Sequence, residues 1–461
     1  MLRTAAIEVI RTLRSRGHQA YLVGGCVRDL LLGREPADYD VATDALPQQV
    51  MHIFPETYAV GAQFGVVLVP IDSLTCGDLA EVAKQHPEET PAEAVKNKAV
   101  EVATFRNDGI YTDGRHPNQV TYSTDPREDV QRRDFTINGL LMDPLASNRV
   151  LDFVGGCGDL ERQVVRAIGE PERRFREDKL RMLRAVRFAA RFGFTVDSAT
   201  FAAIKRLAPE IHQVSHERIR EELTKMLTEG HAKRAFELLD ESGLLHEILP
   251  EVEKMKGVAQ PPQYHPEGDV FVHTLLLLDQ LPPGASRTLA WGMLLHDVGK
   301  PPTFRVAPDR IRFDGHVEVG VRMAAAICRR LRMSNEDTEQ ILALVDNHMR
   351  FADVQKMKES TLKRFLRLPR FDEHLTLHHA DVMASHGKLD LYDFTRRKLN
   401  ETPPEEIRPE PLITGRDLIA AGYQPGPLFK EILTAVEDRQ LEGGLRTKED
   451  ALRFIREEFQ R

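Results

Sequence analysis

The stretch that decides the reading is residues 21–43, YLVGGCVRDLLLGREPADYDVAT. It opens as a short apolar strand and breaks at Gly24-Gly25. An amphipathic turn carrying Arg28 and Asp29 follows, and a second strand brings Asp38 and Asp40. Strand side chains alternate between faces, so Asp38 and Asp40 are expected side by side with Tyr39 opposite. Two carboxylates that close repel unless a cation lies between them, and paired oxygens suit Mg²⁺. Gly25 at a helix start offers backbone N–H groups to phosphate oxygens, and Arg28 adds a charged fork one turn on. Alone, a Gly-Gly pair is commonly just a turn and an Asp-x-Asp just solvated loop. Together in one strand-turn-helix-strand window they read as a triphosphate-and-metal site.

Around that window the chain is long and ordinary in composition. Its 461 residues exceed one core, so roughly two to four domains are expected. The net charge of -8 excludes a generally basic nucleic-acid coat but leaves room for a local groove. Residues 173–191 supply one: Arg173, Arg174, Arg176, Lys179, Arg181, Arg184, Arg187 and Arg191 face only Glu177 and Asp178. The apolar run at 288–298 is far too short to cross a bilayer, so no membrane association is expected, and the N-terminal segment lacks a long apolar signal region. Four cysteines without a CxxC pair indicate neither a disulfide framework nor a thiolate zinc site. A cytoplasmic setting fits best. Oligomeric state is not legible.

In chain order, residues 1–20 read as an amphipathic helix, 46–53 as a helix and 64–71 as an apolar strand. Residues 72–98 read as a polar surface insertion before the strand 100–106. Glu101 on that strand is open between a third carboxylate and an edge-strand charge. Residues 107–129 read as a long functional loop. In RRDFTINGL (132–140), arginines precede an apolar helix, and Arg133 or Arg132 is placed as a phosphate or ribose contact. Residues 151–169 form a strand-turn-helix with Gly155-Gly156 as a hinge. Residues 177–194 are expected to be one helix, with Asp178, Arg181, Arg184 and Arg187 recurring every three residues. Surface salt bridges explain one such pair. The arginine-rich remainder calls for an anionic or polar ligand, such as a nucleotide. Residues 200–255 read as all-α, and 259–267, AQPPQYHPE, as a linker.

A different chemistry follows the linker. His273, His296-Asp297 and Asp381 each fall in an apolar or helical segment, where a charged Asp is costly unless paired or metal-bound. Imidazole and carboxylate together suit a divalent metal that activates water for phosphate hydrolysis. The ordered set resembles the H…HD…D pattern of HD-superfamily phosphohydrolases. His316 and His348 resemble the ligands that some members add for a second metal.

GGCVRD with DYD, RRDFTIN, DFVGGCGDL and EDKLRMLR, in that order, resemble the class II tRNA nucleotidyltransferases, the CCA-adding and poly(A) polymerase group of the polymerase-beta superfamily. The resemblance implies an α+β fold: a mixed-sheet head (1–160), then all-α neck and body (161–258), HD (259–400) and tail (401–461) domains. It implies that Asp38 and Asp40 bind catalytic Mg²⁺, that Gly25 and Arg28 contact the triphosphate and that Arg133 supports the nucleotide near its ribose. It further implies that Asp178 and Arg181 read the base edge, selecting CTP and then ATP, and that Arg184 and Arg187 line the same pocket. The implied partners are tRNA, CTP and ATP. The implied function is template-independent CCA addition, with a phosphohydrolase in the HD domain acting on substrates such as 2′,3′-cyclic phosphates through a metal of unknown identity. CC-adding, A-adding and poly(A)-polymerizing enzymes are the alternatives within the class. An HD hydrolase whose head only binds RNA is the alternative outside it.

Overall fold

The computed structural model describes residues 2–54, 57–58, 65–71, 98–108, 120–282, 284–308 and 310–459. Residues 72–97 of the expected insertion and 109–119 of the expected loop lie outside these. The chain divides into two compact units, Met1–Met226 with Arg234–Ile248, and Leu227–Lys233 with Leu249–Arg461.

The first unit begins with α1 (Leu2–Ser15), β1 (Ala20–Val23), α2 (Gly25–Leu31), β2 (Asp40–Thr43) and α3 (Pro47–Ile53). β3 (Val66–Pro70), β4 (Ala99–Thr104), β7 (Leu140–Asp143) and β8 (Arg149–Asp152) complete a six-stranded sheet ordered β3-β4-β2-β1-β7-β8. β2 and β4 run parallel and the other pairs antiparallel, with Leu22 opposite Val41 on one side and Met142 on the other. The sheet is therefore mixed, as expected. Val23, Ala42, Phe105, Val130 and Leu141 form one fully buried cluster of this unit. Consecutive residues of β1, β2, β3 and β7 are buried, so both faces of the sheet are covered there.

Three expectations change here. Residues 107–129 are not one irregular loop: β5 (Arg106–Asp108) pairs antiparallel with β6 (Val120–Tyr122), and α4 (Pro126–Gln131) follows, capped by the Asp125 side chain. RRDFTINGL leads through a single 3₁₀ turn, Thr136–Asn138, into strand β7 rather than into a helix. A short apolar run does not distinguish the two periods, and sheet pairing decided it. Gly155-Gly156 precedes α5 (Gly156–Glu161) as expected, but a Cβ on Gly156 would stand 2.2 Å from the Thr136 carbonyl oxygen. The second glycine is thus a close-packing position, which a hinge is not.

Beyond the sheet, the expected single helix at 177–194 is two. α6 (Pro171–Glu177) ends at Asp178, whose extended backbone breaks the path before α7 (Leu180–Phe192). α7 buries Met182, Leu183, Val186 and Phe188 and stops at Gly193 in the left-handed conformation. α8 (His216–Thr228) lies further along the chain.

The second unit is almost wholly helical. α9 (Val270–Leu278), α10 (Arg287–Leu295), α11 (His316–Arg330), α12 (Asn335–Asn347) and α13 (Phe371–Ala384) carry the second site, with a small hairpin of β9 (Arg305–Val306) and β10 (Ile311–Arg312). α14 (Gly415–Ala420), α15 (Pro427–Leu441) and α16 (Lys448–Glu458) pack around Leu418, Ile432, Val436 and Ile455. No helix among the described residues is long and apolar enough to cross a membrane.

Candidate active sites

The first site is built at the β1–α2 turn. Gly24 has φ 75°, open to glycine and strained for other residues, and caps α2. A Cβ there would lie 3.1 Å from Arg133 Nη1, so the missing side chain lets a guanidinium reach the turn. Gly25 begins the helix proper. Across the turn, Asp38 and Asp40 are half-buried while Tyr39 between them is buried, the alternation expected of an extended segment. Only Asp40 belongs to β2; Asp38 is in its lead-in. Glu101 is the register partner of Asp40 on β4, beside it in the sheet.

Arg28 takes a position that its sequence neighbours did not suggest. It is buried, donates from Nη1 to Asn138 Oδ1 (2.7 Å) and from Nε to Asp29 Oδ1 (2.8 Å), and lies 4.6 Å from the Phe192 ring centroid. Burial opposes its charge and Asp29 supports it, leaving its pKa below the ordinary arginine value. Arg133 is held by Asp129 Oδ2, and Arg132 by Asp129 Oδ1. Burial works against Arg133 too, but Asp129, with Asp40 and Asp134, holds it more firmly protonated than usual.

The arginine stripe of α7 is not left to a ligand for its compensation, which corrects the sequence argument. Arg181 donates to Glu177 (2.9 Å) and to the carbonyl oxygens of Arg132 and Arg174. Arg184 grips Asp134 Oδ2 through Nε (2.9 Å) and Nη2 (2.7 Å). Arg187 donates to buried Glu222 (2.7 Å). Asp178 receives both Nη atoms of Arg218, at 3.2 and 2.7 Å. The partners Asp134, Arg218 and Glu222 lie 35 to 50 residues away in sequence, so no helical spacing could announce them. Burial would raise the Asp134 pKa, but Arg184 and Asn138 bring it down to about 2.

The second site gathers every residue assigned to it from sequence. His273 Nε2 is 3.0 Å from Asp381 Oδ1. His296 Nε2 is 3.1 Å from Asp297 Oδ2, and His348 and His316 Nε2 stand 3.7 and 3.9 Å from Asp297 Oδ1. His296, His316 and His348 each turn Nδ1 to a backbone carbonyl three residues earlier, Met293, Phe313 and Val345. That arrangement leaves Nε2 as the lone-pair nitrogen, the usual orientation of a metal-ligating imidazole. Those three Nε2 atoms and Asp297 Oδ1 are buried and have no hydrogen-bond partner, so the donor set fits a cation at its centre. The ligand atoms fall into two adjoining groups, His273–His296–Asp381 and Asp297–His316–His348. Burial lowers the His348 pKa to about 4, keeping it neutral for ligation. His273 is fully buried, with its ring nitrogens facing Asp381 and Glu267.

Sequence reading missed four supporting groups. Lys300 in HDVGK donates to Asp297 Oδ2 (2.7 Å) and to Gln260 (2.7 Å). Glu267 lies 2.7 Å from His273 Nδ1, and His265 pairs with the same carboxylate. Gln260, His265 and Glu267 belong to the segment read as a linker, which instead folds back through Gln260 N–H to Gly268 O and Val270 N–H to Val258 O. Gly299 supplies the last constraint: a Cβ there would be 2.0 Å from the His316 carbonyl oxygen. Lys300, three residues after the His296-Asp297 pair, was the one legible signal.

A paired-aspartate sheet behind a glycine turn, followed by an HD-type histidine cluster, defines a nucleotidyltransferase head joined to an HD domain. The Poly A polymerase head domain model matches residues 20–166, the model described as the probable RNA and SrmB-binding site of polymerase A matches 193–256, and the HD domain model matches 269–384. A CCA-adding enzyme of Geobacillus sp. (strain WCH70) is 31% identical over 445 residues, 95% of this chain and 92% of that relative. That of Geobacillus stearothermophilus is 43% identical over 239 residues, 52% of this chain and about half, 53%, of the relative. The crystal structure of the Bacillus stearothermophilus CCA-adding enzyme in complex with CTP superposes with TM-score 0.73 at 28% identity, covering 98% of this chain and 96% of that one. The chain belongs to the CCA-adding enzyme family.

Two outcomes are expected. Arg187→Ala strands the Glu222 carboxylate in the interior and should cost about 3–5 kcal/mol in urea unfolding, most of it recovered when Glu222→Leu is combined with Arg187→Met. Gly299→Ala should displace the His316 backbone and weaken metal binding at the HD centre about 10–100-fold, read by equilibrium dialysis.

Proposed function

We propose that the chain extends the 3′ end of tRNA by C, C and A from CTP and ATP, without a nucleic-acid template. The observation that carries this reading is the meeting of the Gly24-Gly25 turn, Arg133 and the Asp38–Asp40 pair, in a chain whose relatives are named for CCA addition. In the reaction the RNA 3′-oxygen bonds to the α-phosphorus, the bond from that phosphorus to the pyrophosphate oxygen breaks, and the hydroxyl proton leaves to solvent. Asp38 and Asp40 would hold Mg²⁺, which when bound offsets charge on the attacking and leaving oxygens. Gly25, through the N-terminus of α2, and Arg133 bind the triphosphate and ribose, and Arg28 holds the turn from beneath through Asn138.

Asp178 and Arg181 keep capacity for a base edge. Arg181 Nε and one Nη2 proton, and lone pairs on Asp178 Oδ2, exceed the bonds that these groups make to the protein. Arg184 and Arg187 fix α7, which carries Arg181, and Arg218 holds Asp178 at the end of α6. Arg173 and Arg176, the exposed arginines at the start of the basic segment 173–191, hold the acceptor end through its phosphates, and a cytoplasmic setting follows from that partner.

The HD centre is proposed to hydrolyse phosphate esters, 2′,3′-cyclic phosphates among them. Water oxygen bonds to phosphorus, the ester P–O bond breaks, and a water proton ends on the departing oxygen. His273, His296, Asp297 and Asp381 would hold one divalent metal, and His316 and His348 a second on the same Asp297; a bound metal supplies the activated water. Lys300 keeps Asp297 ionised and oriented.

With Mg²⁺, CTP and ATP, a tRNA lacking its last three nucleotides should acquire CCA, read by sequencing its 3′ ends with all four NTPs present. Ends carrying C alone, a single A or an A tract would reassign the enzyme within its class.

A further inference from the structure

The HD centre opens into a cavity of about 460 Å³, with His316, His348 and Asp381 in its wall. Much of the polar capacity around that cavity is already used by the protein. Lys300 Nζ goes to Asp297 and Gln260, His265 pairs with Glu267, and the Ser385 hydroxyl donates to the Asp381 carbonyl oxygen at 2.7 Å. Two further imidazoles line the same cavity, His378 and His386, and neither falls in a ligand group. His348 is buried, His316 and Asp381 are half-buried, and His386 is exposed, so His386 stands at the mouth.

The two imidazoles are held differently. The His378 ring lies flat on Phe351, with centroids 4.1 Å apart and planes 4° from parallel. Burial lowers its pKa to about 4, so it stays an uncharged part of the wall. His386 lies in the turn that ends α13, which is closed by the Ser385 and Gly387 N–H groups, both donating to the Val382 carbonyl oxygen at 3.2 and 2.8 Å. Within that turn the Lys388 N–H donates to His386 Nδ1 at 3.0 Å. A backbone N–H can only donate, so Nδ1 is the acceptor and the neutral ring carries its proton on Nε2. A donor is thereby fixed at the mouth of the cavity. Displacement at phosphorus runs in line, with the attacking and departing oxygens on opposite sides. Water activated among the buried ligands enters from the inner side, which turns the departing oxygen towards the mouth.

We propose that His386 is a catalytic residue of the HD centre, its Nε2–H donating a hydrogen bond to the departing ester oxygen as negative charge builds there. A donor aimed at the atom where charge develops acts in the transition state more than in the bound substrate. The water oxygen bonds to phosphorus, the ester P–O bond breaks, and the water proton ends on the departing oxygen. His386 keeps its own proton throughout. The inference rests on the phosphohydrolase reading of the centre and adds to it a residue outside the ligand set.

The test uses the full chain loaded in turn with Mg²⁺, Mn²⁺, Co²⁺ and Ni²⁺, and two esters that differ in how much help the departing oxygen needs. Adenosine 2′,3′-cyclic phosphate expels a basic alkoxide, and bis(p-nitrophenyl) phosphate expels a stable phenolate. His386→Ala should lower kcat/KM for the cyclic phosphate about 10- to 100-fold, the size of one hydrogen bond to a charged group. The fall for the nitrophenyl ester should be several-fold smaller. His386→Gln, which still presents an N–H, should recover most of the loss. Metal binding by equilibrium dialysis should be the same in His386→Ala as in the unmodified protein; a loss of bound metal would make the residue a ligand and overturn the assignment. An undiminished rate for the cyclic phosphate in His386→Ala, equal falls for the two esters, or no recovery in His386→Gln would overturn it while leaving the hydrolase intact. Hydrolysis of neither ester with any metal would overturn the hydrolase reading itself, and this inference with it.

Discussion

The ion pair in which Arg184 donates through Nε and Nη2 to Asp134 Oδ2 is the contact on which the first unit turns. Asp134 sits just before the turn into strand β7, and Arg184 sits on α7, so the pair ties the sheet to the helix that follows it. Asp134 is buried, and a carboxylate taken that far from water is stable only if it finds its partner and its remaining polar capacity is used. Asp134 meets the condition with the Asn138 amide and the Phe135 N–H as well as Arg184. Asn138 in turn accepts from Arg28 beneath the glycine turn. One chain of hydrogen bonds therefore runs from α7 to the turn that carries Gly24 and Gly25. The base-reading and phosphate-binding halves of the proposed nucleotide site share this support.

The second unit solves a different problem with the same economy. His296, His316 and His348 are aimed by backbone carbonyls through Nδ1 and His273 by Glu267, and its carboxylates are held by Lys300 and His273, so the donor atoms converge on one centre. Every candidate ligand of this centre lies in the second unit, and every residue proposed for the nucleotide site lies in the first. Two reactions on phosphorus are thus assigned to two sets of side chains with no shared member.

Much of this was legible in the sequence, for identifiable reasons. The glycine turn and the Asp-x-Asp segment are local patterns, and local patterns fix local geometry. His273, His296-Asp297 and Asp381 were legible because ionisable residues in apolar helices need an explanation. The misreadings share a cause as well. The α7 arginines looked uncompensated because Asp134 and Glu222 reach them only through the tertiary fold. RRDFTINGL looked helical because its strand identity comes from pairing with β1 and β8. The segment 259–267 looked like a linker because proline marks turns equally well in a spacer and in a folded loop. Glu267 and Gln260 reveal themselves only when that loop closes on His273 and Lys300.

The central claim is that one chain carries two chemically separate centres. It is tested most directly by a crossed assay of Asp40→Ala and Asp297→Ala, each scored for nucleotide addition to truncated tRNA and for metal-dependent phosphate-ester hydrolysis. The account predicts that Asp40→Ala loses addition and keeps hydrolysis, and that Asp297→Ala does the reverse. Loss of both activities in either folded variant would contradict it.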